Sequence, residues 1–128
     1  MIEEKMKAKR DTKLSAVNNV AIARSAPIKG SVQKMNLVCA LIRGQKVSDA
    51  MIQLTFSKKS CSYDIKKTLQ AAVANAEFNN GMDIDSLYID NINVGKAMVL
   101  RRMMPRARGR SASIKKPFSK ITVTLRGA

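Results

Sequence analysis

The sequence predicts an α+β fold in which three helices pack on a small antiparallel sheet and a long β-hairpin projects from it. Three observations carry this. Apolar residues recur at helical spacing between Ser31 and Asn80, and from Leu87 onward the pattern turns to β, most plainly in the strict alternation of residues 121–126. The long stretch between the two C-terminal strands has turn chemistry only near its middle, at Pro105 and Gly109. A chain of 128 residues is large enough for one modest core and too small for two.

Residues 1–19 mix Lys5, Lys7, Lys9, Arg10 and Lys13 with Glu3, Glu4 and Asp11 and show no sustained apolar face. They read as a flexible N-terminal extension ahead of a single globular domain over 20–128. Val20 to Ser25 alternate weakly, as a short strand would, and Pro27 and Gly30 then mark a turn. A helix is expected from Ser31, whose hydroxyl suits an N-cap, to Gly44, with Val32, Met35, Val38, Cys39 and Ile42 on one face. Ser48 offers a second N-cap, with Val47 placed to staple onto Ile52 in a short helix ending near Thr55 or Phe56. The third helix is expected over about Lys58 to Asn80, with Ile65, Leu69, Ala72, Val73 and Ala76 in one stripe and Gly81 closing it. Its small alanines at 71, 72, 74 and 76 let a sheet approach closely.

Leu87 to Val94 form a less regular strand, whereas Ile121, Val123 and Leu125 alternate cleanly with Thr122, Thr124 and Arg126. A hairpin centred near Pro105 and Gly109 sets Ile121 opposite Val94 in an antiparallel register, with an arm over about 95–120. From Gly95 to Pro105 that arm would extend on the order of 33 Å, at about 3.3 Å per residue. A two-stranded ribbon cannot bury a core of its own and is marginal in water. Something it binds must hold it.

Charge says what that is. The chain carries a net charge of +15, and residues 91–128 hold ten basic side chains and no carboxylate. In Leu100-Arg-Arg-Met-Met-Pro-Arg-Ala-Arg-Gly-Arg110, five arginines crowd around a Pro and a Gly. Such self-repulsion persists where a polyanion offsets it, nucleic acid first and an anionic membrane second. The arginine fork suits bidentate phosphate contacts and stacking on bases. Single-strand readers stack bases on aromatic platforms, yet only Phe56, Tyr63, Phe78, Tyr88 and Phe118 are present, which favours folded RNA recognised by backbone and shape. Met103 and Met104 stand among charges and suit packing on nucleotides or across the strands. Lys34, Arg43 and Lys46 around the first helix could extend the basic surface onto the body.

Other functional classes recede. Histidine is absent, which removes the commonest general acid/base and metal ligand, so no catalytic or metal-binding residue and no cofactor is nominated. Cys39 and Cys61 have neither C-x-x-C spacing nor the density of a disulfide scaffold and read as reduced thiols. Asp83, Asp85 and Asp90 read as a solvated loop after Gly81, and Gly95-Lys96 lacks the earlier P-loop glycine, where Asp90 stands. No apolar run reaches the roughly 18 residues of a membrane span, and the N-terminus lacks a signal-peptide core. The expectation is a soluble intracellular protein without a membrane role.

Three motifs then make the reading specific. Ser31-Val-Gln-Lys-Met-Asn-Leu-Val-Cys-Ala-Leu-Ile-Arg-Gly44, Ala72-Val-Ala-Asn-Ala-Glu-Phe-Asn-Asn-Gly81 and Arg102-Met-Met-Pro-Arg-Ala-Arg-Gly-Arg110 resemble, in order and spacing, the bacterial type of the large-subunit ribosomal protein L twenty-two family. The resemblance spans roughly residues 20–126. It implies a structural constituent of the large ribosomal subunit in the cytoplasm, a monomer there, which binds ribosomal RNA and aids assembly. It implies too that the hairpin tip lines the nascent-peptide exit tunnel, near a constriction shared with ribosomal protein L four. Carried onto this sequence, RNA-binding positions on the body would be Arg24, Lys29, Ser31, Gln33 and Lys34. Those on the arm would be Lys96, Arg101, Arg102, Arg106, Arg108, Arg110, Lys115, Lys116 and Lys120. The tunnel-lining tip would comprise Met103, Met104, Pro105, Arg106, Ala107, Arg108, Gly109 and Arg110, facing the nascent peptide. The N-terminal segment of about 20 residues exceeds compact bacterial members. A DNA-bending architectural protein with basic β-arms is the alternative, and it would require an obligate dimer.

Overall fold

Over residues 19–127, four strands and three α-helices follow one another as β1 (Val20–Arg24), β2 (Ile28–Lys29), α1 (Val32–Ile42), α2 (Val47–Phe56), α3 (Cys61–Asn80), β3 (Leu87–Pro105) and β4 (Ser111–Gly127). The computed structural model describes residues 4–5 and 19–127, so most of the expected N-terminal extension lies outside the described residues. The class is α+β, as the two periodicities predict.

β4 organises the sheet. One edge pairs antiparallel with β3 along its whole length, and the other takes β1 at residues 122–126 and β2 at residues 118–119. Val94 lies opposite Ile121, the expected register. The irregularity of β3 has a cause: a register shift between Ile89 and Asn91 leaves Asp90 as a bulge. Before it Leu87 and Ile89 point inward, and after it Ile92 and Val94 do. One extra residue thus reverses the parity and keeps four apolar side chains on the core face.

The helices cover that face only. Met35, Val38, Cys39 and Ile42 of α1, Val47, Ala50 and Leu54 of α2, and Ile65, Leu69, Ala72 and Ala76 of α3 form one core with the inward residues of the sheet. Ala72 and Ala76 are fully buried, so their small side chains set how closely α3 approaches. Cys39 is buried among them, and burial raises its pKa from 9.0 to about 11, with nearby Arg43 opposing. It stays a protonated, packed thiol.

Both sheet edges of the body are covered, which blunts strand-to-strand association. Along β1, Asn75 and Asn80 of α3 donate side-chain hydrogen bonds to the carbonyls of Ile22 (3.2 Å) and Val20 (2.8 Å). Along β3, the N–H of Gly44 donates to Ile89 O at 3.0 Å, and the N–H of Ile89 donates to Gln45 O at 3.0 Å. Arg43 completes that edge through Nε and Nη2 on Ile92 O, at 3.1 and 2.8 Å, with Nη2 also on Asn36 Oδ1 at 2.7 Å. Arg43 therefore ties α1 to the β3 edge while its side chain stays exposed. Arg43→Ala should lower the unfolding free energy by about 1–3 kcal/mol, and Arg43→Lys should recover little because a point charge cannot hold both acceptors. Urea denaturation checks both.

Three local expectations are corrected. Ser31 stands at the N-cap of α1, but its hydroxyl makes no capping bond. α2 begins at Val47 rather than after Ser48, because Lys46 is held in a bridge to Tyr88 and its carbonyl accepts the first helical bond from Ala50. Val47 is consequently buried inside the first turn while Ile52 is 57% exposed, so no staple forms between them. α3 starts at Cys61 rather than Lys58, and Ser57 Oγ accepts from the Lys59 N–H at 3.4 Å, a local bond that competes with helix. Its end is as expected, with Gly81 at φ 61°.

Candidate nucleic-acid interface

β3 and β4 continue past the body as an arm, paired down to Pro105 and Ser111. Its root is clamped by β2. Lys29 pairs with Phe118, the Gly30 N–H donates to Pro117 O at 3.1 Å, and the buried Ser119 hydroxyl donates to Gly30 O at 2.8 Å. The turn between Pro27 and Gly30 thus contains a strand too short for periodicity to reveal.

The register decides where each cation points. Arg101 lies directly opposite Lys115 on one face of the ribbon. One residue on, the other face carries Arg102 opposite Ile114 and Lys116 opposite Leu100, so these two cations are diagonal neighbours. Like charges facing each other across strands cost stability. Four cations at one level of an arm without carboxylates repel one another until an anionic partner offsets them. Apolar side chains share the second face, where Met98 opposes Phe118, with Leu100, Ile114 and Met104 further out. Lys96 sits opposite Ser119, beside a second register shift that leaves Ala97 as a bulge.

At the tip, Arg106, Ala107, Arg108, Gly109 and Arg110 make the turn, closed by the Arg106 N–H on Arg110 O at 2.7 Å. Arg108 has φ 59°, the one positive φ outside glycine among the described residues, and Gly109 follows at 70°. Met103, Met104 and Pro105 stand on the last rungs of the ladder rather than in the turn. Met103 is 73% exposed there.

On the body, the side chains of β4 that alternate away from the helices form an open sheet face. Lys120 and Arg126 stand on it, with Arg24 opposite Thr122. By parity along β4 this face runs straight into the Lys116 and Ile114 side of the arm. Lys29, Ser31 and Lys34 line a separate groove of about 620 Å3 at the arm's root, together with Lys59, Ser60 and Asp64, and Gln33 lies exposed beside it. α1 and α3 both begin at this groove without a side-chain cap, leaving N–H groups free for an anion.

Every nominated cation is therefore exposed, and the fold sorts them into tip, arm, open face and root groove. Sequence reasoning overlooked Arg126 and Lys59. The alternation of Arg126 with Ile121, Val123 and Leu125 was signal enough for the first, whereas only the chain's topology brings Lys59 to Lys29. Among the described residues no group of three or more His, Cys, Asp or Glu side chains could hold a metal, and no helix is long and apolar enough to cross a membrane. Asp83 instead organises a 3-10 turn at Ile84–Ser86, where its carboxylate accepts from the Asp85 N–H at 3.3 Å.

The chain is similar to known proteins over most of its length. It is 53% identical over 109 residues to the large ribosomal subunit protein uL22 of Jannaschia sp. (strain CCS1), covering 85% of this chain and 86% of the relative. Its identity to the protein of the same name from Rickettsia bellii (strain OSU 85-389) is 53% over 107 residues, covering 84% and 90%. With that of Beijerinckia indica it is 49% over 119 residues, covering 93% of this chain and 92% of the relative, so that likeness reaches into the first 19 residues. The family model described as ribosomal protein L22p/L17e matches residues 23–126, from β1 through the whole arm to the end of β4. The chain belongs to the ribosomal protein L22p/L17e family, whose members are structural ribosomal proteins and not enzymes.

Proposed function

We propose that this chain is a structural constituent of the large ribosomal subunit in the cytoplasm, a monomer there, held by ribosomal RNA along its arm, open sheet face and root groove. The observation that carries this is the arm itself: a cation pair on each face at one level, directly opposed on one and diagonal on the other, with no carboxylate to neutralise them. A duplex lying against one face would leave the other pair unrelieved, whereas folded RNA can close around both. The root groove adds contacts where backbone N–H groups and Lys29, Lys34 and Lys59 converge. The tip, Arg106 to Arg110 with Met103 to Pro105 behind it, lines the nascent-peptide exit tunnel near ribosomal protein L four. Its work is assembly and tunnel shaping, in which binding energy replaces chemistry.

Co-sedimentation tests the reading. The protein should travel with large subunits in moderately high salt and leave duplex DNA in the supernatant, because enclosed contacts outlast the screening that releases a surface-bound cation. Retention on DNA and absence from subunits would overturn it.

A further inference from the structure

Positive charge dominates this chain except in two stretches. Residues 47–57 and 68–95 contain Asp49, Glu77, Asp83, Asp85 and Asp90 and no lysine or arginine. The fold brings them together where α2, the middle of α3 and the 3-10 turn at Ile84–Ser86 meet around a groove of about 270 Å3. Val47, Met51 and Val73 give it an apolar floor with Ile84 at its rim, and Asp85 stands in its wall, placed there by the turn that Asp83 holds. Every lining residue comes from the two stretches free of cations. The cations that border the stretches, Lys46, Lys58, Lys67 and Lys96, do not line the groove.

One kind of occupant is disfavoured by these facts. A phosphate backbone would meet the Asp85 carboxylate with no cation in the lining to neutralise it, the reverse of the arm and its root. One apolar side chain fits, and Ile84, 43% exposed at the rim, is ready to be covered.

We propose that this groove docks a lysine- or arginine-rich protein segment anchored by one apolar side chain, with Asp85 meeting its charge. The inference rests on the ribosomal reading, in that the segment belongs to a neighbouring protein of the subunit. The groove lies on the body, away from the arm, so RNA on the arm and protein in the groove do not compete.

The test places the photo-reactive residue benzoylphenylalanine at Ile84, and in a second variant at Ser48, in the full chain assembled into large subunits, with adducts mapped by mass spectrometry. Adducts are expected on a protein peptide of net positive charge. Adding Asp85→Lys should cut their yield by about fivefold or more while co-sedimentation stays unchanged. Adducts on ribosomal RNA, on a second copy of this chain or on a neutral or acidic segment would overturn the proposal, as would no adduct at either position or a yield indifferent to the charge reversal. A chain that fails to sediment with subunits at all refutes the ribosomal reading instead, before the groove is reached.

Discussion

Replacing Arg101, Arg102, Lys115 and Lys116 together with glutamine should lower affinity for ribosomal RNA about a thousandfold, taking about 1 kcal/mol per charged contact. The loss should carry a signature. Each phosphate contact contributes roughly 0.7–0.9 to the slope of log affinity against log salt, so the slope should fall by about three. Glutamine keeps much of the side chain's length and its hydrogen-bonding capacity, and removes only the charge. Body stability should hold or rise slightly, because the Arg101 and Lys115 pair faces itself across the strands and relief of that repulsion favours the ribbon. Filter binding across a salt series reads affinity and slope, and thermal unfolding reads the body. An unchanged slope would mean that these four side chains face solvent in the complex, and the enclosure argument would fall.

How much of this was legible in the sequence depends on where the deciding interactions lie. β4 was readable because Ile121, Val123 and Leu125 alternate without interruption, and its clean parity made the Val94 to Ile121 register inferable. β3 was less regular because the bulge at Asp90 reverses parity midway. β2 was invisible, since two residues carry no period and its strand character comes from Pro117 and Ser119, nearly 90 residues away. The starts of α2 and α3 were misplaced because local signals do not fix a boundary: Ser48 offered a cap, yet the bridge of Lys46 to Tyr88 starts α2 at Val47, and the Ser57 bond to the Lys59 N–H holds α3 off until Cys61. The candidate site divides in the same way. The arginine cluster needs no partner to announce itself, whereas Arg43 looked like one more surface cation until its bonds to Ile92 showed that it also holds the β3 edge. Lys59 looked like nothing until α3 brought it to the root groove.

Leu69→Ala should separate the two halves of the molecule energetically. Leu69 is fully buried at the centre of α3, between Ile65 and Ala72 and over the inward side chains of β4. Its truncation should cost about 2–5 kcal/mol through lost burial and the cavity left behind. That is a large share of the roughly 5–15 kcal/mol that holds a domain of this size. Amide exchange makes the prediction residue-specific. In the parent protein residues 65–76 and Ile121 to Leu125 should exchange slowly, and in Leu69→Ala they should exchange at least about a hundredfold faster, as a loss near 3 kcal/mol requires. Residues 97–115 should exchange rapidly in both proteins, because the arm's ladder bonds lie on an exposed ribbon with no core beneath them. Adding ribosomal RNA should then protect the arm in both, while the difference in the body persists. Strong protection of the arm in the free parent protein would show a ribbon that is stable by itself, and RNA would no longer be needed to order it.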